Sequence, residues 1–252
     1  MTALVRYDGP TDTTPARATL TLDSPRNRNA LSRQLVSELY DGLQRAQDDD
    51  DVRVVVIRAA GPAFCSGADL SEAASEGMEK AAGVLVDLQR RLVTFPKPVV
   101  TRLHGAVRAG GIGVVAASDI AISADDASYA FTEVRLALTP AAISLTVLPR
   151  MTDRSAALTF LTGETFDGAR AAAMGLVTMA VPEADLDAAV DAACSHLVKG
   201  HPQGLRETKS LLARDLVTRI DAQGADLAQL SARLFGSEEA REAMVAFLNR
   251  RK

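Results

Sequence analysis

The run Val52-Arg53-Val54-Val55-Val56-Ile57 constrains this chain more than any other stretch. It leaves no polar face, so it reads as a strand buried on both sides, the habit of a parallel sheet. Pro98 to Leu103 and Asp119 to Ser123 repeat the type, with a Gly-rich turn and a short apolar helix between them. That β-helix-β rhythm implies right-handed crossover connections and an α/β fold. Upstream, Ala18 to Leu22 alternates like a half-buried strand and is closed by Asp23-Ser24-Pro25. Ser32 suits the N-cap of a helix running to about Gln47, with Leu35, Val36, Leu39 and Leu43 on its apolar face. The acidic run Asp48 to Asp51 reads as a solvated turn.

From Pro140 onward the pattern turns helical. Val190 to Lys199, Pro202 to Val217 and Ala225 to Phe235 are amphipathic, and Ser237 to Arg251 suits a last helix. No repeat or long linker interrupts the chain. The expected organisation is a core over residues 1–195 and a helical region over 196–252.

Composition removes several function classes. A net charge of −4, from 28 basic and 32 acidic residues, gives no electrostatic reason to bind nucleic acid. No apolar run approaches the roughly 20 residues of a membrane span, and no signal peptide is visible, so a cytoplasmic protein is expected. Cys65 and Cys194 make no disulfide framework, and with three scattered histidines they offer no metal site.

Three segments could carry chemistry. Ala60 to Leu70 follows the buried strand with small residues that let a ligand approach the backbone. His104 to Gly113 is a Gly-rich strand-to-helix turn, where free N–H groups and the positive helix end suit a developing oxyanion. Glu133 stands among Phe131, Val134, Leu136 and Leu138, company that should raise its pKa as a proton shuttle needs. Against these, Gly-rich turns are commonly plain connections, and Glu133 could pair with Arg135. Cys65 reads better as a small buried thiol than as a nucleophile. Both the dinucleotide fingerprint and the phosphate-binding Walker loop fail on residues after Gly113.

Taken together, Asn27 to Ser32, Ala63 to Leu70, Gly105 to Gly113 running into Ser118-Asp119-Ile120, Phe131 to Pro140 and the ending Ala246 to Arg251 resemble the crotonase (enoyl-CoA hydratase/isomerase) superfamily in order. The resemblance implies a ClpP/crotonase-like spiral of ββα repeats with a C-terminal helical trimerisation region, and a homotrimer or a hexameric dimer of trimers. It also implies an acyl-CoA substrate, with coenzyme A present only as part of that substrate and no separate cofactor. By resemblance, the backbone N–H groups of Ala68 and Gly110 would hold the thioester oxygen, and Glu133 would move protons. Arg26, Arg28, Ala30, Ser66, Ala68, Asp69, Leu70 and Gly110 would meet the substrate and its CoA moiety, and Arg250 would reach the nucleotide phosphates. Ser71 to Val93 would form a lid and helix beside the acyl group, with Met78, Val84, Leu85 and Leu88 lining the pocket or packing in the core.

The match departs at one informative place. Hydratases of the family that this chain resembles typically carry a further glutamate three residues beyond the position of Gly110, and this chain has Gly113 there. A positive φ at Gly113 would make a glutamate costly. A second departure is Pro140-Ala141-Ala142-Ile143-Ser144, where many relatives have a Gly-Gly turn after the proline. The expected activity is therefore enoyl-CoA hydration with a single glutamate. The alternatives are double-bond isomerisation, a methylglutaconyl-CoA-type hydratase, or a non-catalytic fold that binds acyl-CoA or a protein. In the carboxylated case a cation such as Arg108 could meet the substrate, or serve a structural salt bridge.

Overall fold

The computed structural model describes residues 2–69, 72 and 78–249, without the side chains of 78 and 247–249. The valine run lies in the middle of a six-stranded sheet. Its spatial order is β1 (Val5–Asp8), β2 (Arg17–Leu22), β3 (Val54–Ala59), β5 (Val99–Leu103), β7 (Ile120–Ala124) and β10 (Met179–Val181). Only the β1–β2 pair is antiparallel; the other neighbours are parallel. A second sheet holds β4 (Ala63–Cys65), β6 (Ala106–Arg108), β8 (Ser128–Ala130) and β9 (Phe166–Asp167). Its first three strands are parallel and β9 is antiparallel.

Helices α1 (Arg33–Asp48), α2 (Met78–Val93), α3 (Gly110–Ala117), α4 (Ala141–Val147) and α5 (Asp153–Thr162) are followed by α6 (Gly168–Ala173) and α7 (Leu186–Leu197). The chain finishes in α8 (Pro202–Phe235) and α9 (Glu238–Asn249). Three times the chain lays one strand in each sheet and then turns into a helix: β3–β4–α2, β5–β6–α3 and β7–β8–α4. This is the spiral of ββα repeats that the resemblance implies.

Local signals explain the well-formed elements. Ser32 caps α1 by accepting a hydrogen bond from the Leu35 N–H at 3.3 Å, and Leu35, Leu39 and Leu43 are fully buried. Each such leucine contributes about 2 kcal/mol by leaving water. Helix α3 is buried on every side, as its uniformly apolar sequence requires.

Several expectations are corrected. Strand β3 begins two residues later than the valine run, because the Val52 N–H closes a turn onto the Asp49 carbonyl and pairing with β2 starts at Val54. The small-residue segment Ala60 to Leu70 and the Gly-rich turn His104 to Gly113 contain the three-residue strands β4 and β6. Beyond Pro140, β9 and β10 interrupt the helices. All four are too short to show a period. The helices expected at 202–217 and 225–235 are one helix, and α7 starts earlier than expected. The unifying feature of α8 is its ridge at Leu216, Ile220, Gly224 and Ala228, a buried i,i+4 row that continues through Gly224. Leu216, Ile220 and Ala228 join the same apolar cluster as the sheets. Among the described residues, no helix is long and apolar enough to cross a membrane.

Candidate active site

The site is built where the smaller sheet meets the start of α3. After β4 the chain runs through Ser66-Gly67-Ala68-Asp69, and the loop from Pro25 to Ala30 lies along it. The Ser66 N–H donates to the Arg28 carbonyl at 3.0 Å, and the Leu31 N–H donates to the Gly67 carbonyl at 2.8 Å. Asn29, fully buried at a φ of 53°, holds this loop in place. Its amide donates to the carbonyls of Ala60 (2.9 Å) and Ala63 (2.8 Å), and its oxygen accepts from the Ser24 N–H (2.7 Å). The sequence motif contains Asn29, but nothing local reveals it as the loop's anchor.

Two backbone donors converge here. Gly67 has a φ of 96°, and a Cβ on it would lie 2.7 Å from the Ala109 Cβ and 3.3 Å from the Gly110 nitrogen. Only glycine therefore brings the Ala68 segment against the first residue of α3. Ala109 makes the turn into that helix at φ 43° and ψ −121°, a conformation rarely taken by a residue with a side chain. Neither the Ala68 N–H nor the Gly110 N–H donates to any group among the described residues. A helix's first N–H groups have no partner within the helix, and they point outward with the positive end of its dipole.

Both donors line a cavity of about 680 Å³ shared with Glu133. Glu133 sits on a 3-10 turn, Thr132–Leu136, directly after β8. That turn is anchored by Phe131, which is fully buried and packs on Phe160 with ring centroids 4.4 Å apart. The Glu133 Oε2 atom is sheltered and has no hydrogen-bond partner among the described residues. Burial pushes the carboxyl up to about 7, opposed only by its own backbone N–H. The raised pKa was expected, but its surroundings were partly misjudged. Phe131 faces the core and Val134 is exposed, while Leu136 and Leu138 are joined on the cavity wall by Ala141, Ala142 and Ile143 of α4. Arg135 donates to the Thr162 carbonyl, and no ion pair joins it to Glu133 among the described residues.

The other expected residues separate into groups. Arg28, Ala30, Ser66 and Asp69 line the same cavity as Ala68 and Gly110. Arg26 is exposed and stands off the cavity wall. Leu70 and Arg250 lie outside the described residues, as do Ser71 and the Met78 side chain. Leu85 reaches the cavity, Leu88 is fully buried, and Val84 is 37% exposed. Cys65 is fully buried and its thiol is pushed up to about 12, which removes it as a nucleophile. Ser231, Leu234 and Phe235 of α8 also line the cavity. Their separation in sequence from the rest of the site hides that role.

Gly113 is helical, so the obstacle to a side chain there is packing rather than a positive φ. A Cβ would fall 2.8 Å from the Ile143 Cγ2 and 3.3 Å from the Gln89 Cδ. Gln89 is fully buried and fixed: its amide donates to the carbonyls of Leu85 and Ala142, both at 3.1 Å. Its oxygen accepts from the Thr146 hydroxyl at 2.6 Å. A neutral, satisfied network occupies the space behind Gly113.

The chain matches the enoyl-CoA hydratase/isomerase family over residues 14–252. It is 32% identical over 241 residues to a Bacillus subtilis (strain 168) protein named "Probable enoyl-CoA hydratase", covering 93% of each. It is 28% identical over 251 residues to the peroxisomal Delta(3,5)-Delta(2,4)-dienoyl-CoA isomerase of Arabidopsis thaliana, covering 92% of this chain and 90% of the relative. The crystal structure of an enoyl-CoA hydratase from Mycobacterium avium superposes with a TM-score of 0.93 at 48% identity, covering 99% of this chain and 98% of the other.

Proposed function

The chain belongs to the enoyl-CoA hydratase/isomerase family, and from that premise we propose that it hydrates an enoyl-CoA thioester using a single glutamate. It is an enzyme of the crotonase superfamily. The observation that carries the finer reading is the shared cavity: two backbone donors with no partner among the described residues and one carboxylate with a pKa near neutrality. The thioester oxygen would accept hydrogen bonds from the Ala68 and Gly110 N–H groups. As water adds to Cβ, Glu133 takes its proton, and negative charge gathers on that oxygen. Fixed donors stabilise the charge without reorganising, and one such donor is worth roughly 3 kcal/mol. Glu133 then returns the proton to Cα. Arg28, Ala30, Ser66 and Asp69 would flank the CoA moiety. Leu211 and Leu212, 61% and 80% exposed on α8, support self-association as a trimer or a dimer of trimers.

One observation favours a second reading. Residue 113 is a glycine with Gln89 and Ile143 packed behind it, so among the described residues no second carboxylate stands there to hold water. Glu133 alone can carry a proton between Cα and Cγ, which is isomerisation and needs no water. The test is to offer crotonyl-CoA and a 3-enoyl-CoA separately and follow the ultraviolet band of the conjugated thioester. Loss of the band with crotonyl-CoA is the expected result. A band growing from the 3-enoyl ester, with crotonyl-CoA untouched, would replace hydration by isomerisation.

A further inference from the structure

We propose that Arg108 is the binding point for a second anionic group of the bound thioester, which makes it a specificity-determining residue of this site. The inference rests on the reading above only for the ligand being an acyl-CoA thioester.

Arg108 ends strand β6. Strand alternation turns Val107 into the core, where it is fully buried, and places Ala106 and Arg108 on the cavity wall. The guanidinium is already oriented. Nη1 donates to the Val107 carbonyl at 2.9 Å and to the Ser128 carbonyl, and Nη2 donates to the Ser128 hydroxyl at 2.7 Å. All three acceptors are neutral. The structural salt bridge open in the sequence is not made: among the described residues no carboxylate pairs with Arg108, although Glu133 and Asp69 line the same cavity.

Two other sheltered arginines are treated differently, although Arg53 and Arg58, like Arg108, donate to neutral groups. Arg17 and Arg102, with side chains 17% and 16% exposed, each hold an aspartate, Asp191 at 2.5 Å and Asp187 at 2.6 Å. Arg108 is half-buried, and shelter from water disfavours its charge with no anion among the described residues to offset the loss. Fixing the guanidinium through neutral groups leaves its Nε–H and one Nη2–H without a partner among the described residues, able to receive an oxyanion. Arginine grips carboxylates and phosphates through such donors. An acyl-CoA can bring either: a carboxylate at the far end of the acyl chain, or a phosphate of its CoA moiety. A neutral acyl group on a phosphate-free carrier brings neither.

The test measures binding rather than turnover. Wild type and Arg108→Met would be titrated calorimetrically with glutaryl-CoA, butyryl-CoA and S-butyryl pantetheine, all saturated and unreactive toward hydration. The expected loss is about tenfold to a hundredfold where the anion is present. Loss confined to glutaryl-CoA identifies the acyl carboxylate as the partner. Loss on both CoA esters, with the pantetheine ester unaffected, identifies a CoA phosphate. Unchanged affinity for all three, or an equal loss across all three, overturns the proposal, since a purely structural arginine cannot tell the ligands apart. If Arg108→Met does not fold, Arg108→Gln keeps a donor for Ser128 without the charge, and the same outcomes apply. Failure of the enzyme to turn over crotonyl-CoA or the 3-enoyl ester would count against the function above and leave this titration intact.

Discussion

Asp119 and Glu133 bracket the same stretch of chain, and the fold treats the two carboxylates in opposite ways. Asp119 stands just before β7. Its Oδ2 accepts the Val99 N–H at 2.7 Å and the Lys209 ammonium at 2.7 Å. Lys209 is only 6% exposed and also donates to the carbonyls of Leu92 (3.0 Å) and Lys97 (3.1 Å). The pair thereby pins the long helix α8 to the larger sheet. Glu133, after β8, is sheltered, its Oε2 has no partner among the described residues, and its pKa is raised. A carboxylate tied to a backbone N–H and a buried ammonium holds a structure together. One kept from water with a bond unmade is poised to exchange a proton.

The largest expected effect tests the Glu133 half of this contrast. Glu133→Gln should lower turnover about a thousandfold while acyl-CoA affinity is kept, because the proton carrier is gone and the shape remains. In the wild type, turnover that needs the carboxylate should rise with pH through about 7. Stability should move the other way. The folded pKa of Glu133 lies above its unfolded value, so its contribution is fully present below the unfolded pKa and is lost as pH rises through about 7. The melting temperature of Glu133→Gln should therefore gain on the wild type between mildly acidic and mildly alkaline buffer. Turnover retained in the variant would break the contrast outright.

The Asp119 half predicts a loss of stability instead. Asp119→Asn leaves the Lys209 ammonium buried without its counter-charge, and the expected cost is about 3 kcal/mol. Thermal denaturation would show it, and activity per folded molecule at low temperature should be nearly unchanged. A variant that melts normally but has lost turnover would move Asp119 into the chemistry.

The two carboxylates were not equally legible in the sequence. The apolar neighbourhood of Glu133 is partly local, and its raised pKa follows from that. Much of its actual wall comes from α4, and α8 closes another part of the cavity. The Asp119–Lys209 pair spans 90 residues and rests on a lysine that looks like any solvated residue of an amphipathic helix. Long periodic elements such as α1 were readable because many residues repeat one signal. The three-residue strands β4, β6 and β8, which carry the site, repeat nothing. The missing carboxylate at Gly113 could be seen directly, whereas Gln89 and Ile143 filling its place could not.

The smallest effect sharpens the contrast from the donor side of the cavity. If the reactive region holds strain that the Asp119 region does not, it should show at Ala109, whose φ of 43° presents Gly110 beside Gly67. A side chain in that conformation costs on the order of 1–3 kcal/mol, and glycine adopts it freely. Glycine also gives back about 0.4–1 kcal/mol through the greater freedom of the unfolded chain. The balance favours Ala109→Gly by about 1 kcal/mol, or about 3 °C in melting temperature for a chain of this size. Turnover should fall severalfold, because the alanine also restricts the turn that aims the Gly110 N–H. A variant that melts later and works more slowly would show strain being used to hold the donor. A variant with no gain in stability would show that Ala109 rests there without cost, and the turn would then be as relaxed as the Asp119 anchor.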